Sequence, residues 1–333
     1  MKLGFGLRLA MYSNMHMEPE ENLPVIFREE RRRAFWCLYL QDRLISLSRE
    51  RFSVIQDETC GVRLPCSEEA WRQGREEMAP TLECFSHDYL EQEAVDSCCP
   101  LALIVVVVSV LGRVSRYILQ GKGSSQVSPP WSPASPYTTI SSTLLQLELH
   151  FGLNEPAMES LERRCYAGGA VDEHLAGSFM YAKAVFHLCH CLLHHPFLLQ
   201  QRLQQLKQKA PPSFLRNVWD TCRTHAKNLT DVKDVRNHNI TILTSLYGYC
   251  TMVAGTIHIL SMSDERAETR QAGLTHYKAA LQFLHELSCY WKHAALMVNT
   301  SANELGRRFC LFSKRTLTES HRTRRADSND STS

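Results

Sequence analysis

Apolar residues recur at helical spacing along most of the chain, and that period limits the available folds more than any other feature. From Glu29 to Leu47 (EERRRAFWCLYLQDRLISL) the positions Trp36, Leu40, Leu44 and Leu47 form one stripe, which Phe35 and Tyr39 widen. The pair Glu29 and Glu30 sits where a helix start favours negative charge. The same reading predicts helices over 68–78, 84–94, 101–119, 139–151, 156–167, 173–208, 213–231, 238–262 and 264–306. Pro196 should break or kink the long one, because proline lacks the amide a helix interior needs. No region alternates apolar and polar residues between hairpin turns, and no strands alternate with helices. The expected fold class is all-α, a large bundle-like helical domain.

The most apolar stretch, Leu101 to Leu111 (LALIVVVVSVL), has 11 residues and meets Gly112, Arg113 and Arg116 at once. Crossing a bilayer takes about 18 to 20 such residues, so this reads as a buried element and no membrane is expected. Its four consecutive valines favour a strand by propensity. The register Leu103, Val107, Val110, Val114, Ile118 is nevertheless helical, and helix is the expectation.

Between these helices, Gly121 to Pro136 (GKGSSQVSPPWSPASP) holds Gly, Ser and Pro at a density no helix tolerates. It is expected to be a loop, with Trp131 docked on a neighbouring surface. Residues 1–120 and 137–312 then form two parts of one helical domain, and the polar 313–333 reads as a disordered tail. There is no internal repeat. Thirteen cysteines in 333 residues fall short of a disulfide scaffold, and their odd number suits a reducing compartment. Arg8 interrupts the stretch where a signal peptide would be apolar, so Asn-x-Ser/Thr matches at Asn228, Asn239, Asn299 and Asn329 read as chance. With 37 Lys+Arg against 35 Asp+Glu, the net charge of +2 gives no global field for nucleic acid or anionic lipid.

Candidate chemistry concentrates at His187, Cys189, His190, Cys191, His194 and His195. His187, Cys191 and His195 follow one another at i,i+4 spacing, which lets side chains on one helical face share a metal ion. The competing reading is a core helix in which Cys acts as a small hydrophobe, and it is the favoured one. No Cys-x2-Cys pair, phosphate-binding glycine loop, Gly-x-Ser-x-Gly or His-Glu-x-x-His occurs, so catalysis has no positive support and no enzyme is expected. Arg28 and Arg31 to Arg33 could contact nucleic acid. Adjacent Glu29 and Glu30 favour instead a helix start whose arginines pair with carboxylates such as Asp42 or Asp57. Lys314, Arg315, Arg322, Arg324 and Arg325 are too dispersed for a firm nuclear import signal.

The stretch from Glu29 to Pro65 resembles the middle homology region of fungal zinc binuclear cluster transcription factors, the fungal-specific or xylanolytic-activator-type regulatory domain. Arg32, Arg33, Phe35, Trp36, Asp42, Arg43, Arg51, Ile55, Asp57, Leu64 and Pro65 fall in register with the family pattern. Glu50 and Phe52 replace the Gly and Pro of its Gly-Arg-Pro turn. Gly6 to Met11 (GLRLAM), Leu111 to Tyr117 (LGRVSRY), Pro130 to Tyr137 (PWSPASPY), His187 and Leu193 to Phe197 (LHHPF) look like further landmarks of the same family.

The resemblance implies an all-helical regulatory domain acting in the nucleus on RNA polymerase II transcription. Its partners would be proteins of the transcription machinery, with homodimerisation and a small-molecule effector as options. It carries over no catalytic residue, and the motif residues read as structural. DNA contact and zinc would come from the family's N-terminal six-cysteine cluster, which these residues do not contain; no cofactor is expected in the chain itself. The first residues align inside the middle region, so the family's initial helices are expected to be missing. Each large apolar side chain thereby uncovered would forgo about 1.5 to 3 kcal/mol. The expected origin is either an incomplete gene product or a natural regulator without its own DNA-binding domain, working through partners.

Overall fold

The computed structural model of the protein describes residues 2–47, 52–86, 90–119, 128–167, 170–206, 209–232 and 244–298. These fall into two compact units divided after Ile242.

In the first unit, α1 (Lys2–Tyr12) lies against α2 (Val25–Ile45), followed by the short α3 (Glu68–Gln73) and α4 (Gln92–Asp96). Then come α5 (Pro100–Leu119), α6 (Pro136–Phe151), α7 (Ala157–Arg164), α8 (Glu173–Leu193), α9 (Pro196–Leu206) and α10 (Pro212–Asp231). A two-residue antiparallel ribbon, β1 (Tyr166–Ala167) with β2 (Ala170–Val171), joins α7 to α8. The all-α class holds, with this ribbon as a local addition. In the second unit α11 (Ser245–Ser261) packs along α12 (Ala267–Ser288), and residues 292–298 are helical again.

The valine-rich segment is a helix and the centre of the first unit. Val105, Val107, Val108, Leu111 and Val114 are fully buried, because α5 packs on α8, α2 and α6. By length and hydropathy alone α5 could cross a bilayer, but 78% of that window is covered by the rest of the protein. α8 is buried around its whole circumference from Ala182 to Leu193, which explains why its sequence shows no polar stripe. Close approach of α2 and α5 depends on Gly112, where a Cβ would stand 2.9 Å from Cδ of Arg43.

Several boundaries differ from the sequence expectation. α2 begins after Pro24, so Glu29 lies in its second turn, 1% exposed, and serves as an ion-pair partner rather than a dipole complement. α3 stops at Gly74, whose left-handed conformation (φ 62°) ends the helix before residue 78. In place of a helix over 84–94 there is a single 3-10 turn, Leu82–Phe85, and then α4; Leu82 and Phe85 are both buried by that one turn. The helix expected over 156–167 ends at Arg164, where the ribbon starts and the Asp172 amide extends it by donating to the Cys165 carbonyl (2.8 Å).

The break at Pro196 is present: α8 ends at Leu193 and Pro196 opens α9. α12 does not run on to residue 306. The amides of Tyr290 and Trp291 both donate to the Leu287 carbonyl (3.0 and 2.9 Å), and this turn brings Ala294 back beside Gly248 of α11. The linker is a turn over residues 128–135, with Trp131 docked edge-on to Phe214 (5.4 Å between ring centres). Residues 121–127, the start of the helix expected at 238, and the tail over 313–333 lie outside the described residues. α1 carries apolar side chains on both sides: Leu7 and Ala10 are buried, whereas Phe5, Leu9 and Tyr12 are exposed.

Candidate functional site

The motif residues of α2 converge on one interior network. Arg32 pairs with Glu18 and with Glu29 (3.2 Å), and Arg33 pairs with Glu29 (2.8 Å) and Glu68. Arg33 also donates to the Cys66 carbonyl (3.0 Å), and its guanidinium lies 4.2 Å from the centre of the Trp71 ring. Burial opposes the positive charge of both arginines, but their hydrogen bonds to these carboxylates outweigh it and raise both pKa values. Burial likewise disfavours the Glu18 carboxylate, yet Arg32 and the Arg63 amide hold its pKa below the ordinary value. Arg28 is engaged with Glu76 (2.9 Å), and Arg31 donates to the Ser13 carbonyl. The arginine run is therefore spent on the fold, although not on Asp42 and Asp57 as the sequence suggested.

Those two aspartates serve the loop that follows α2. Asp42 Oδ2 accepts the amides of Val54 (2.8 Å) and Ile55 (3.0 Å), and Ile55 is fully buried. Asp57 Oδ1 accepts from Arg43 (2.5 Å) and from the Tyr39 hydroxyl (2.5 Å). Burial works against the Arg43 charge, and Tyr39 and Asp57 more than offset it. Desolvation first, with Asp57 adding to it, keeps the Tyr39 hydroxyl protonated. Trp36 donates to the Arg63 carbonyl (2.7 Å) and stacks edge-on between Phe35 and Tyr39. Leu64 is fully buried, Pro65 is buried, and the Leu64 amide donates to the Pro80 carbonyl (2.8 Å). Arg51 lies outside the described residues. Glu18 and Glu68, which complete the network, carry no signal in the sequence, and Glu29 reads there as a helix-start residue rather than as the partner of Arg32 and Arg33. The i,i+3 and i,i+4 spacings of Glu29 to Arg32 and Arg33 were the available signal.

The later landmarks meet in a second cluster. Tyr137, one residue into α6, packs against Tyr117 of α5, His194 after α8, and Phe214 of α10. Beside it four imidazoles are buried together. His190 stacks on His225 at 3.8 Å and on His194 at 5.4 Å, and His187 Nδ1 lies 2.9 Å from His225 Nδ1. Desolvation lowers all four pKa values, that of His194 to about 4 and that of His225 to about 3. His194 Nδ1 donates to the His190 carbonyl (2.8 Å), which fixes its tautomer.

His187 thus pairs with His225 of α10 and not with Cys191 and His195. Among the described residues no three His, Cys, Asp or Glu side chains are grouped to hold a metal ion. The thiols also oppose ligation: burial pushes Cys60, Cys66 and Cys250 up to about 12 and Cys222 higher still, whereas a metal needs the thiolate. The described cysteines do not fit a zinc cluster.

Residues 2–160 match the family model of the fungal specific transcription factor domain. Among curated proteins the chain is similar to the Zn(2)-C6 fungal-type transcription factor FTF1a of Fusarium oxysporum f. sp. lycopersici, 22% identical over 86% of this chain and 27% of that protein. It is also similar to FTF1c of the same organism (21% identical, 86% of this chain, 32% of that protein) and to its FTF2 (20%, 86% and 28%). The chain spans less than a third of the length of these relatives. No solved structure is a significant match. The matched span covers α1 to α6 and the first half of α7, and so includes the whole arginine network and the α2–α5 contact. Over residues 2–160 the chain is accordingly similar to the fungal specific transcription factor domain.

Proposed function

We propose that the chain is the regulatory domain of a Zn(2)-C6-type fungal transcription factor, acting in the nucleus on RNA polymerase II transcription through protein contacts. The observation that carries this reading is the coincidence of the family match with the arginine network, since the motif residues hold the domain together. On this reading the chain is not an enzyme and holds no cofactor, and zinc and DNA contact belong to a module distinct from these residues. The relatives' names support that division.

A reporter assay tests the proposal. The chain is fused to a heterologous DNA-binding domain in a fungal host, with the DNA-binding domain alone as reference. The expected result is a change of severalfold in reporter transcription, upward or downward. A fusion that is expressed, nuclear and without effect on the reporter would overturn the reading.

A further inference from the structure

The first unit contains a cleft of about 430 Å³ where the C-terminal ends of α6 and α7 approach α4, the start of α5 and the first turns of α8. This is the size of a small organic ligand's pocket. Its apolar wall is formed by Leu103, Phe151, Leu175 and Phe179, and Arg164 stands at its edge. The thiols that complete the floor are uncharged, since burial pushes Cys98 well up and Cys165 up to about 11.

Arg164 distinguishes this cleft from ordinary surface relief. Its guanidinium carbon lies 5.5 Å from the centre of the Phe179 ring, so the fork is held over the aromatic wall. Partial burial and the neighbouring Arg163 both disfavour its charge. Glu155, the acidic neighbour that favours that charge, is paired with Arg163. Asp96, also on the cleft, is exposed and accepts from Gln92 (2.8 Å). Among the described residues Arg164 therefore has no ion-pair partner, in contrast to Arg28, Arg32, Arg33 and Arg43. An arginine fork matches a carboxylate in a bidentate, charge-assisted geometry. With a single unpaired fork, a carboxylate of its own at Asp96 and an apolar wall, the cleft suits a monoanion with a hydrocarbon body better than a phosphate.

We propose that this cleft binds a small monocarboxylate with an aromatic or branched apolar body, its carboxylate on Arg164 and its body against Phe151, Leu175 and Phe179. The inference does not depend on the transcriptional reading, because its test measures binding alone.

The probes are 3-phenylpropionate and its neutral isostere 3-phenylpropionamide, titrated into the full chain by ligand-observed NMR and calorimetry. The acid is expected to bind at least about tenfold more tightly than the amide. Arg164→Gln should abolish that preference, and Arg72→Gln, at a remote exposed position, should retain it. Arg164→Lys, which keeps the charge without the fork, should fall between. Leu175→Trp, which fills the cleft and leaves Arg164 intact, should weaken both probes. Circular dichroism establishes that each variant is folded, and the Lys and Trp variants carry the test should the Gln variant not fold. Equal affinity for acid and amide, an unchanged acid affinity in folded Arg164→Gln, or no acid binding up to about 10 mM, the range of very weak affinity, would each overturn the proposal.

Discussion

Asp42 and Asp57 are both motif aspartates, yet their removal should differ in cost because they hold different partners. Asp57 faces Arg43, which is 2% exposed and whose Nη2 depends on that carboxylate. Asp57→Ala leaves a buried guanidinium without its counter-charge and should destabilise the protein by about 3 to 5 kcal/mol. Asp42→Ala frees two neutral backbone amides, of which that of Val54 is only part-buried, and about 1 to 3 kcal/mol is expected. Urea unfolding midpoints of the two variants, compared with the parent, check the order; equal midpoints would contradict it. At this scale the sequence identified which residues of α2 matter but not whom they serve. Partners such as Glu18 and Glu68 are distant in sequence from Arg32 and Arg33, and no local pattern announces them. The contact between Glu29 and its arginines was written in helical spacing, and was obscured because the pair Glu29 and Glu30 also resembles a helix start.

Elements were most legible where one face is apolar and a breaker marks the end. α2, α5 and the stop before Pro196 follow from the period and the proline alone. The termination of α12 does not, since no glycine or proline stands at residues 289–291 and only the return of Ala294 onto α11 requires the turn. Contact between α2 and α5 provides a sharp test of element packing. A methyl group at Gly112 would meet Arg43 Cδ at 2.9 Å and Nε at 3.2 Å, and Arg43 cannot swing away while Asp57 holds it. Helix propensity alone would make Gly112→Ala favourable by up to about 1 kcal/mol. The clash should win, with a net loss of about 1 to 3 kcal/mol typical of overpacking. A thermal midpoint above the parent's would mean that α2 and α5 can separate without penalty.

For the whole molecule, the buried histidines tie stability to pH. His187, His190, His194 and His225 are kept neutral in the folded chain, chiefly by desolvation, with His194 at about 4 and His225 at about 3. In the unfolded chain each titrates near the ordinary value of about 6.5. Below that value the unfolded state binds more protons than the folded one, so stability is fully present above about pH 6.5 and falls as the pH drops. Each ring's contribution approaches about 1.4 kcal/mol per pH unit only well below 6.5, and the four together cost about 5 kcal/mol between pH 7 and pH 5.5. That equals a large part of a typical net stability of about 5 to 15 kcal/mol. The paired carboxylate of Glu18 adds a loss of the same sign only below its ordinary value of 4.5, so the two causes separate along the pH axis. Cooperative loss of near-ultraviolet circular dichroism is therefore expected between about pH 5 and 6, above the range of carboxylate titration. His190 has no hydrogen-bond partner for either ring nitrogen among the described residues, so His190→Leu should cost little at pH 7 and move the acid midpoint downward. A parent chain that stays folded to pH 4.5, or a variant with an unchanged midpoint, would show that the imidazole stack does not set the acid limit.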